Sequence, residues 1–239
     1  MNYQEVFNPL LKELNINLSS LQTEQFLKYY ELLIEKNKVM NLTAITEFNE
    51  VVCKHFIDSL TITRVFDMSK NVRILDMGTG AGFPGIPLKI VFPDIKIVLL
   101  DSLNKRINFL DEVINELGLK DIEAVHGRAE DFARKPGYRE SFDLCVSRAV
   151  ARLATLAEYC MPYIKINGYF IPYKAGNIQD ELEESRKALK IFGGSLEGMD
   201  SFHLPATDIE RTLIKIKKEA STPKIYPRNA GKPSKEPIV

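Results

Sequence analysis

The sequence predicts an α/β chain: a mostly parallel seven-stranded sheet, with an N-terminal helical extension and a basic, proline-rich C-terminal tail. Three observations carry this. VRILDMGTGAGFPG (72–85) is a short apolar run ending at Asp76, then a glycine-rich turn, then the helical segment IPLKIVF. Strand, turn and helix in that order form the first half of a nucleotide-binding βαβ unit. KIVLLDS (96–102) is a second apolar strand, closing on Asp101, 25 residues after Asp76. Downstream, strand-like runs alternate with amphipathic helical ones as far as residue 218.

Taken in order, residues 3–15 predict a helix with Val6, Leu10, Leu11 and Leu14 on one face. A second helix opens near Ser19, which with Gln22 makes a capping box, and buries Phe26, Tyr30, Leu33 and Ile34. A third, EFNEVVCKHFIDSLTITRVF, starts after Thr46 as its cap and places His55 and Asp58 on a common face. After the strand ending at Asp101, NKRINFLDEVINELGL predicts an amphipathic helix closed by Gly118, burying Ile107, Leu110, Ile114 and Leu117. IEAVH (122–126) is the third strand, and SFDLCVSRAVARL (141–153) supplies the fourth and leads into a helix. Residues 168–174 read as a fifth strand whose Pro172 argues for an edge or a bulge. IQDELEESRKALKIF is a charged helix with a solvated face, acidic early and basic late as the helix dipole favours. Strands near 196–204 and 211–218 complete the sheet. The tail, with its spaced prolines, is not expected to be helical.

Length and composition bound the possibilities. The chain has 239 residues, 45% apolar and 27% charged, as in an ordinary water-soluble globule. No apolar run reaches the roughly 18 residues of a membrane span, and the N-terminus has no secretory pattern. Three widely spaced cysteines fit reduced thiols in a cytoplasmic protein, and a monomer is expected. Net charge is zero, but residues 221–239 hold four basic residues and one acidic. A local basic strip binds phosphate without a basic whole. His55, Asp58 and Cys53 lack the second cluster that a metal site needs, so no metal is expected.

Two ligand readings compete at the turn. Gly80 to Gly85 matches the dinucleotide pattern G-x-G-x-x-G, the basis of a nicotinamide-dependent oxidoreductase reading. A non-catalytic nucleotide-binding module is a third possibility. The better template is D-x-G-x-G-x-G, which resembles the first signature of class I methyltransferases. An acid beside the turn suits the cationic S-adenosylmethionine and repels a pyrophosphate. Asp101 is placed to accept from ribose hydroxyls, or to cap the next helix. Glu130 or Asp131 is placed to accept an adenine amino group, with Ala129 near the ring, or to cap a helix. Arg148 stands at the carboxyl ends of the strands, where ligands of open α/β sheets gather, or pairs with a neighbouring acid. The turn of amino-methylating enzymes (Asn/Asp-Pro-Pro-aromatic) is missing, as is a cysteine beside a proline for pyrimidine C5 methylation.

Together these residues resemble the bacterial small-subunit ribosomal RNA guanine-N7 methyltransferases, the glucose-inhibited division protein B family. The matching pieces are Asn41-Leu42-Thr43, His55-x-x-Asp58-Ser59, Asp76-x-Gly-x-Gly-x-Gly-Phe83-Pro84 and Asp101-Ser102 with Lys105-Arg106. Arg128-Ala129-Glu130, Arg148-Ala149-Val150-Ala151 and Tyr226-Pro227-Arg228 follow in the family's order. Pro172-Tyr173 departs from the uninterrupted strand expected before Lys174. The resemblance implies a Rossmann-like class I fold (residues 67–220) with a helical extension (1–66) and a tail (221–239). It implies S-adenosylmethionine as donor, S-adenosylhomocysteine as product, and a guanine of 16S ribosomal RNA, in the small subunit, as acceptor. Expected cofactor contacts are Asp76, Gly78, Gly80, Phe83, Asp101, Ala129, Glu130 and Arg148. Arg148 and Arg128 are the candidates for orienting the substrate. RNA contacts are expected at Asn41, His55, Lys105, Arg106, Lys174, Lys224 and Arg228.

Overall fold

The computed structural model describes residues 3–69, 71–148, 151–176 and 178–239. Ala149 and Val150, read with Arg148 as one motif, lie outside them.

Helices α1 (Tyr3–Lys12) and α2 (Ser20–Met40) form the start of the extension. The Ser19–Gln22 capping box is present, and Gln22 also donates through Nε2 to the carbonyls of Ile90 and Val91. The face that α2 buries is Phe26, Tyr29, Leu32 and Leu33, with Tyr30 and Ile34 only half-buried. Tyr29 wins over Tyr30 because its hydroxyl reaches 2.6 Å to the carbonyl of Ala81, inside the glycine turn.

The third predicted helix is composite. α3 (Phe48–Val51) follows Glu47, whose side chain makes no capping bond, and Thr46 plays no capping part. It widens into a π-helical stretch, Val52–Ile57, continues as α4 (Asp58–Leu60) and tightens to a 3-10 turn, Thr61–Arg64. Phe7, Phe26, Tyr29, Phe56 and Phe83 fill the space between this extension and the sheet in one continuous apolar core.

The sheet strands are β1 (Arg73–Met77), β2 (Lys96–Asp101), β3 (Ile122–His126), β4 (Phe142–Arg148), β5 (Ile164–Ala175), β6 (Gly194–His203) and β7 (Glu210–Lys218). Their order is β3-β2-β1-β4-β5-β7-β6, with β7 antiparallel to both neighbours and the first five strands parallel. The chain reverses direction across the sheet between β1 and β4, the switch point where a ligand crevice opens at the carboxyl ends of the strands. The covering helices are α5 (Gly85–Val91), α6 (Asn104–Glu116), α7 (Ala129–Phe132), α8 (Leu153–Cys160) and α9 (Gln179–Ile191). α6 buries Phe109 and Val113 along with Ile107, Leu110 and Leu117, and leaves Ile114 half-buried.

Pro172 is inside the sheet and not at an edge. It pairs with Ser147 of β4, while the β5–β7 register skips Ile171 and Pro172 between Phe170↔Ile216 and Tyr173↔Leu213. A residue without an N–H is tolerated where the ladder leaves a gap. The register shift in β5 lies earlier, between the pairs of Phe142 and Leu144.

The tail also departs from expectation. It lies against the domain, and Lys232–Lys235 makes a short helix, α10, with Pro233 in its first turn, where proline's missing donor costs nothing. No helix among the described residues is long and apolar enough to cross a membrane.

Candidate active site

The glycine turn between β1 and α5 is built on Asp76. Its carboxylate is wholly buried, with Oδ2 accepting from Thr79 Oγ1 at 2.7 Å and from the Gly85 amide at 2.8 Å. Its other oxygen has no hydrogen-bond partner among the described residues. Burial pushes its pKa up to about 7, opposed by the hydrogen bonds from Thr79 and Gly85 and by the charge of Arg148. The acid read from sequence as flanking a cationic donor therefore lies beneath the turn and shapes it from behind.

Above the turn the surface opens into two lobes that share Gly78, Asp101 and Ser102. The first, about 460 Å³, is bordered by Thr43, His55, Gly80, Phe83, Arg106 and Arg148. The second, about 310 Å³, is bordered by Gly127, Arg128, Ala129, Glu130, Tyr159 and Gly231. Gly80 adopts φ +63°, and a Cβ built on it would meet nothing within 4 Å, so the bare turn faces open space.

Asp101 sits between the lobes, 3% exposed. Oδ2 accepts from the Gly80 amide at 3.0 Å and from Arg106 Nη1 at 3.1 Å, and Oδ1 from the Leu103 amide at 2.9 Å. It thus ties the glycine turn to the start of α6. The N-cap position itself is Leu103, without a side-chain cap.

The first lobe is walled by a charged cluster. Arg148 Nη1 donates to the Lys54 carbonyl (3.1 Å) and to Asp58 Oδ2 (3.0 Å), and Nη2 to His55 Nδ1 (3.1 Å). Its guanidinium carbon lies 4.9 Å from the centroid of Phe83, and the His55 ring stacks on Phe83 at 4.6 Å. Asp58, 1% exposed, also accepts from Arg211 Nε at 3.0 Å through Oδ1.

An arginine only donates. His55 Nδ1 must therefore be the acceptor, and Nε2–H donates to Thr43 Oγ1 at 2.8 Å. Burial, then the Arg148 charge, lower the His55 pKa to about 3. His55 is a neutral ring in the crevice wall and not a cationic phosphate contact. The expected His55–Asp58 pair is instead two separate holds on Arg148.

In the second lobe Arg128 is exposed at the N-cap position of α7, and Ala129 borders the cavity. Glu130 is buried, and its Oε1 accepts from the Gly231 amide at 2.9 Å. Asp131 is exposed and does not border either lobe.

Of the expected RNA contacts, Lys105 and Lys224 are exposed, and Asn41 is the exposed left-handed cap of α2, next to Leu42 and Thr43 at the crevice. Arg106 is spent partly on Asp101. Two expected contacts are turned inward. Lys174 Nζ donates to the Ala151 carbonyl (2.7 Å) and to Glu181 Oε1 (2.6 Å), with 12% side-chain exposure. Arg228 forms an ion pair with Glu158, whose side chain is 1% exposed. Tyr226, beside Arg228 in the same motif, packs edge-on against Phe192. Glu181 likewise gives α9 a structural role beyond a solvated face. Tyr159, Arg211 and Gly231 carry no signal in the sequence, because they meet the crevice or its wall through contacts distant along the chain, and Thr43 is marked there only as part of Asn41-Leu42-Thr43.

The two lobes fit S-adenosylmethionine in outline: buried Asp101 stands between them, the glycine turn lies open beside it, and Glu130 borders one lobe and Arg148 the other. Gly80 to Gly85 also fits the dinucleotide pattern, but the Gly80 amide is already given to the Asp101 carboxylate, where a pyrophosphate needs free donors.

The family model for rRNA small subunit methyltransferase G matches residues 22–213. A protein named "Ribosomal RNA small subunit methyltransferase G" from Lachnoclostridium phytofermentans is 60% identical over 96% of this chain and 95% of its own length. One of the same name from Clostridium novyi is 46% identical over 100% of both chains. Among solved structures, a SAM dependent methyltransferase from Aquifex aeolicus is 18% identical, covering 70% of this chain and 93% of its own, with TM-score 0.52. That likeness shows the class I methyltransferase fold. The chain belongs to the rRNA small subunit methyltransferase G family.

Proposed function

We propose that this protein transfers a methyl group from S-adenosylmethionine to N7 of a guanine in small-subunit ribosomal RNA, as a cytoplasmic monomer. When bound, the donor supplies an electrophilic methyl on a sulfonium. The observation that supports this reading is that, among the described residues, the wall of the first lobe offers no free base. His55 has its Nδ1 lone pair engaged by Arg148 and its Nε2–H given to Thr43. Asp101 accepts from two amides and from Arg106. Arg148 and Arg106 stay protonated.

Guanine N7 needs none, because its in-plane lone pair attacks without losing a proton. The residues then serve positioning, holding N7, methyl carbon and sulfur in line with reacting atoms ~3 Å apart and water excluded. Arg148, fixed from Lys54, His55 and Asp58, is the rigid cationic anchor of that arrangement, and Arg128, whose exposure leaves it accessible, would meet base or backbone. Lys105 and Lys224 would hold phosphates, so binding weakens as salt rises.

The experiment is transfer of labelled methyl from S-adenosylmethionine to small-subunit RNA or subunits, with the modified base mapped. Label on a guanine that resists chemical cleavage before transfer and yields to it afterwards supports N7. Label at another atom, or none, refutes it. Arg148→Ala should lower transfer by at least about tenfold, the loss of a charge-assisted contact.

A further inference from the structure

The matched family core ends at residue 213, yet the cofactor crevice does not. Residues beyond it return along the domain as a strap clasped at several points. Arg139 donates to the carbonyls of Thr222 (2.7 Å) and Tyr226 (3.0 Å), and Arg134 to that of Pro227 (2.8 Å). The next residue is the latch. Arg228 gives Glu158 three donors, its backbone amide at 2.7 Å, Nε at 2.9 Å and Nη2 at 2.6 Å. A buried carboxylate so fully engaged fixes the chain's direction at that point. Three residues later Gly231, at φ +82°, turns its amide onto Glu130 Oε1 at 2.9 Å and borders the same lobe as Ala129 and Tyr159.

We infer that this strap is part of the cofactor site: Glu158 and Arg228 are positioning residues that set Gly231 against Glu130 and so form the adenosine-side wall. This rests on the reading that the crevice takes S-adenosylmethionine. An amide on one carboxylate oxygen fixes Glu130 in the lobe, and the strap's backbone closes the face opposite the glycine turn. By linkage, a ligand that touches the strap holds it closed, and loss of the strap weakens the ligand. The tail's role is then toward the small molecule and not only toward RNA.

Calorimetry on the full chain and on a chain ending at Arg228 tests this, with S-adenosylhomocysteine and with 5′-methylthioadenosine, which lacks the amino-acid half. The shortened chain keeps the Arg228–Glu158 latch and loses Gly231. Both ligands should weaken by the same factor, about tenfold, as expected for one lost buried hydrogen bond and its enclosure. Equal affinity of the two chains would overturn the inference alone. No binding by the full chain would overturn the cofactor reading and this inference with it. A second measurement uses the intact protein. S-adenosylhomocysteine should slow trypsin cleavage after Lys224 and Lys235 by about threefold or more through stabilising the closed strap. Cleavage rates unchanged by a saturating ligand would also overturn it.

Discussion

Asp58 is the buried carboxylate that joins the extension to two strands of the sheet, and its removal is a sharp perturbation. Its two oxygens are divided between Arg148 of β4 and Arg211 of β7, each at 3.0 Å, and it is 1% exposed. In Asp58→Ala both guanidiniums lose their carboxylate. Arg148 keeps the Lys54 carbonyl and His55, and Arg211 keeps, among the described residues, the Glu210 carbonyl. Breaking a buried pair by removing one partner costs about 3–5 kcal/mol. The arginines retain 14% and 20% side-chain exposure, so water relieves part of this, and the low end, about 3 kcal/mol, applies. For a chain of this size that is a fall in Tm of roughly 6–12 °C. A domain stable by about 5–15 kcal/mol remains folded at room temperature. The freed Arg148 should also weaken S-adenosylhomocysteine by about tenfold, since a mobile guanidinium must be ordered again on binding. Differential scanning calorimetry and binding calorimetry on one preparation check both numbers. A Tm within about 2 °C of the parent, together with unchanged affinity, would show that the cluster does not set the wall.

Two further outcomes follow from the same site. His55 has a native pKa near 3 against an ordinary 6.5, so the unfolded state takes up the proton first as pH falls. Its cost to stability is absent above about pH 6.5 and grows toward pH 3, by up to about 1.4 kcal/mol per pH unit. Urea unfolding of His55→Gln should therefore gain on the parent as pH is lowered from 7.5 to about 4.5, and parallel curves would refute this. At the turn, a Cβ on Gly85 would lie 2.3 Å from Leu99 Cδ2 and 2.9 Å from Asp76 Oδ2, so Gly85→Ala should cost about 1–3 kcal/mol by overpacking. Gly80→Ala meets open space and should cost only its left-handed backbone, roughly 1–2 kcal/mol, so Gly85→Ala should melt no higher than Gly80→Ala, and a clearly higher melting temperature for Gly85→Ala would contradict the overpacking.

What was legible in the sequence is what the chain decides over short distances. Strand, glycine turn and helix around Asp76, the second strand ending in Asp101, and the Ser19 capping box depend on neighbours a few residues away, and all appear where expected. Buried charge is the opposite case. Arg148 and Asp58 are 90 residues apart, Arg211 and Asp58 are 153, and no local pattern says that one carboxylate will serve both. The same blindness explains the basic residues expected to meet RNA. Lys174 and Arg228 look like free cations because their acids, Glu181 and Glu158, lie on helices whose placement depends on the finished sheet. Composition reports how much charge a segment carries, but only packing reports which charges are still available to a partner. At this site that difference has chemical consequences. The cluster around Arg148, of which His55 alone reads from sequence as an RNA contact, leaves a wall of held donors and a neutral histidine, and such a wall suits a nucleophile with no proton to lose.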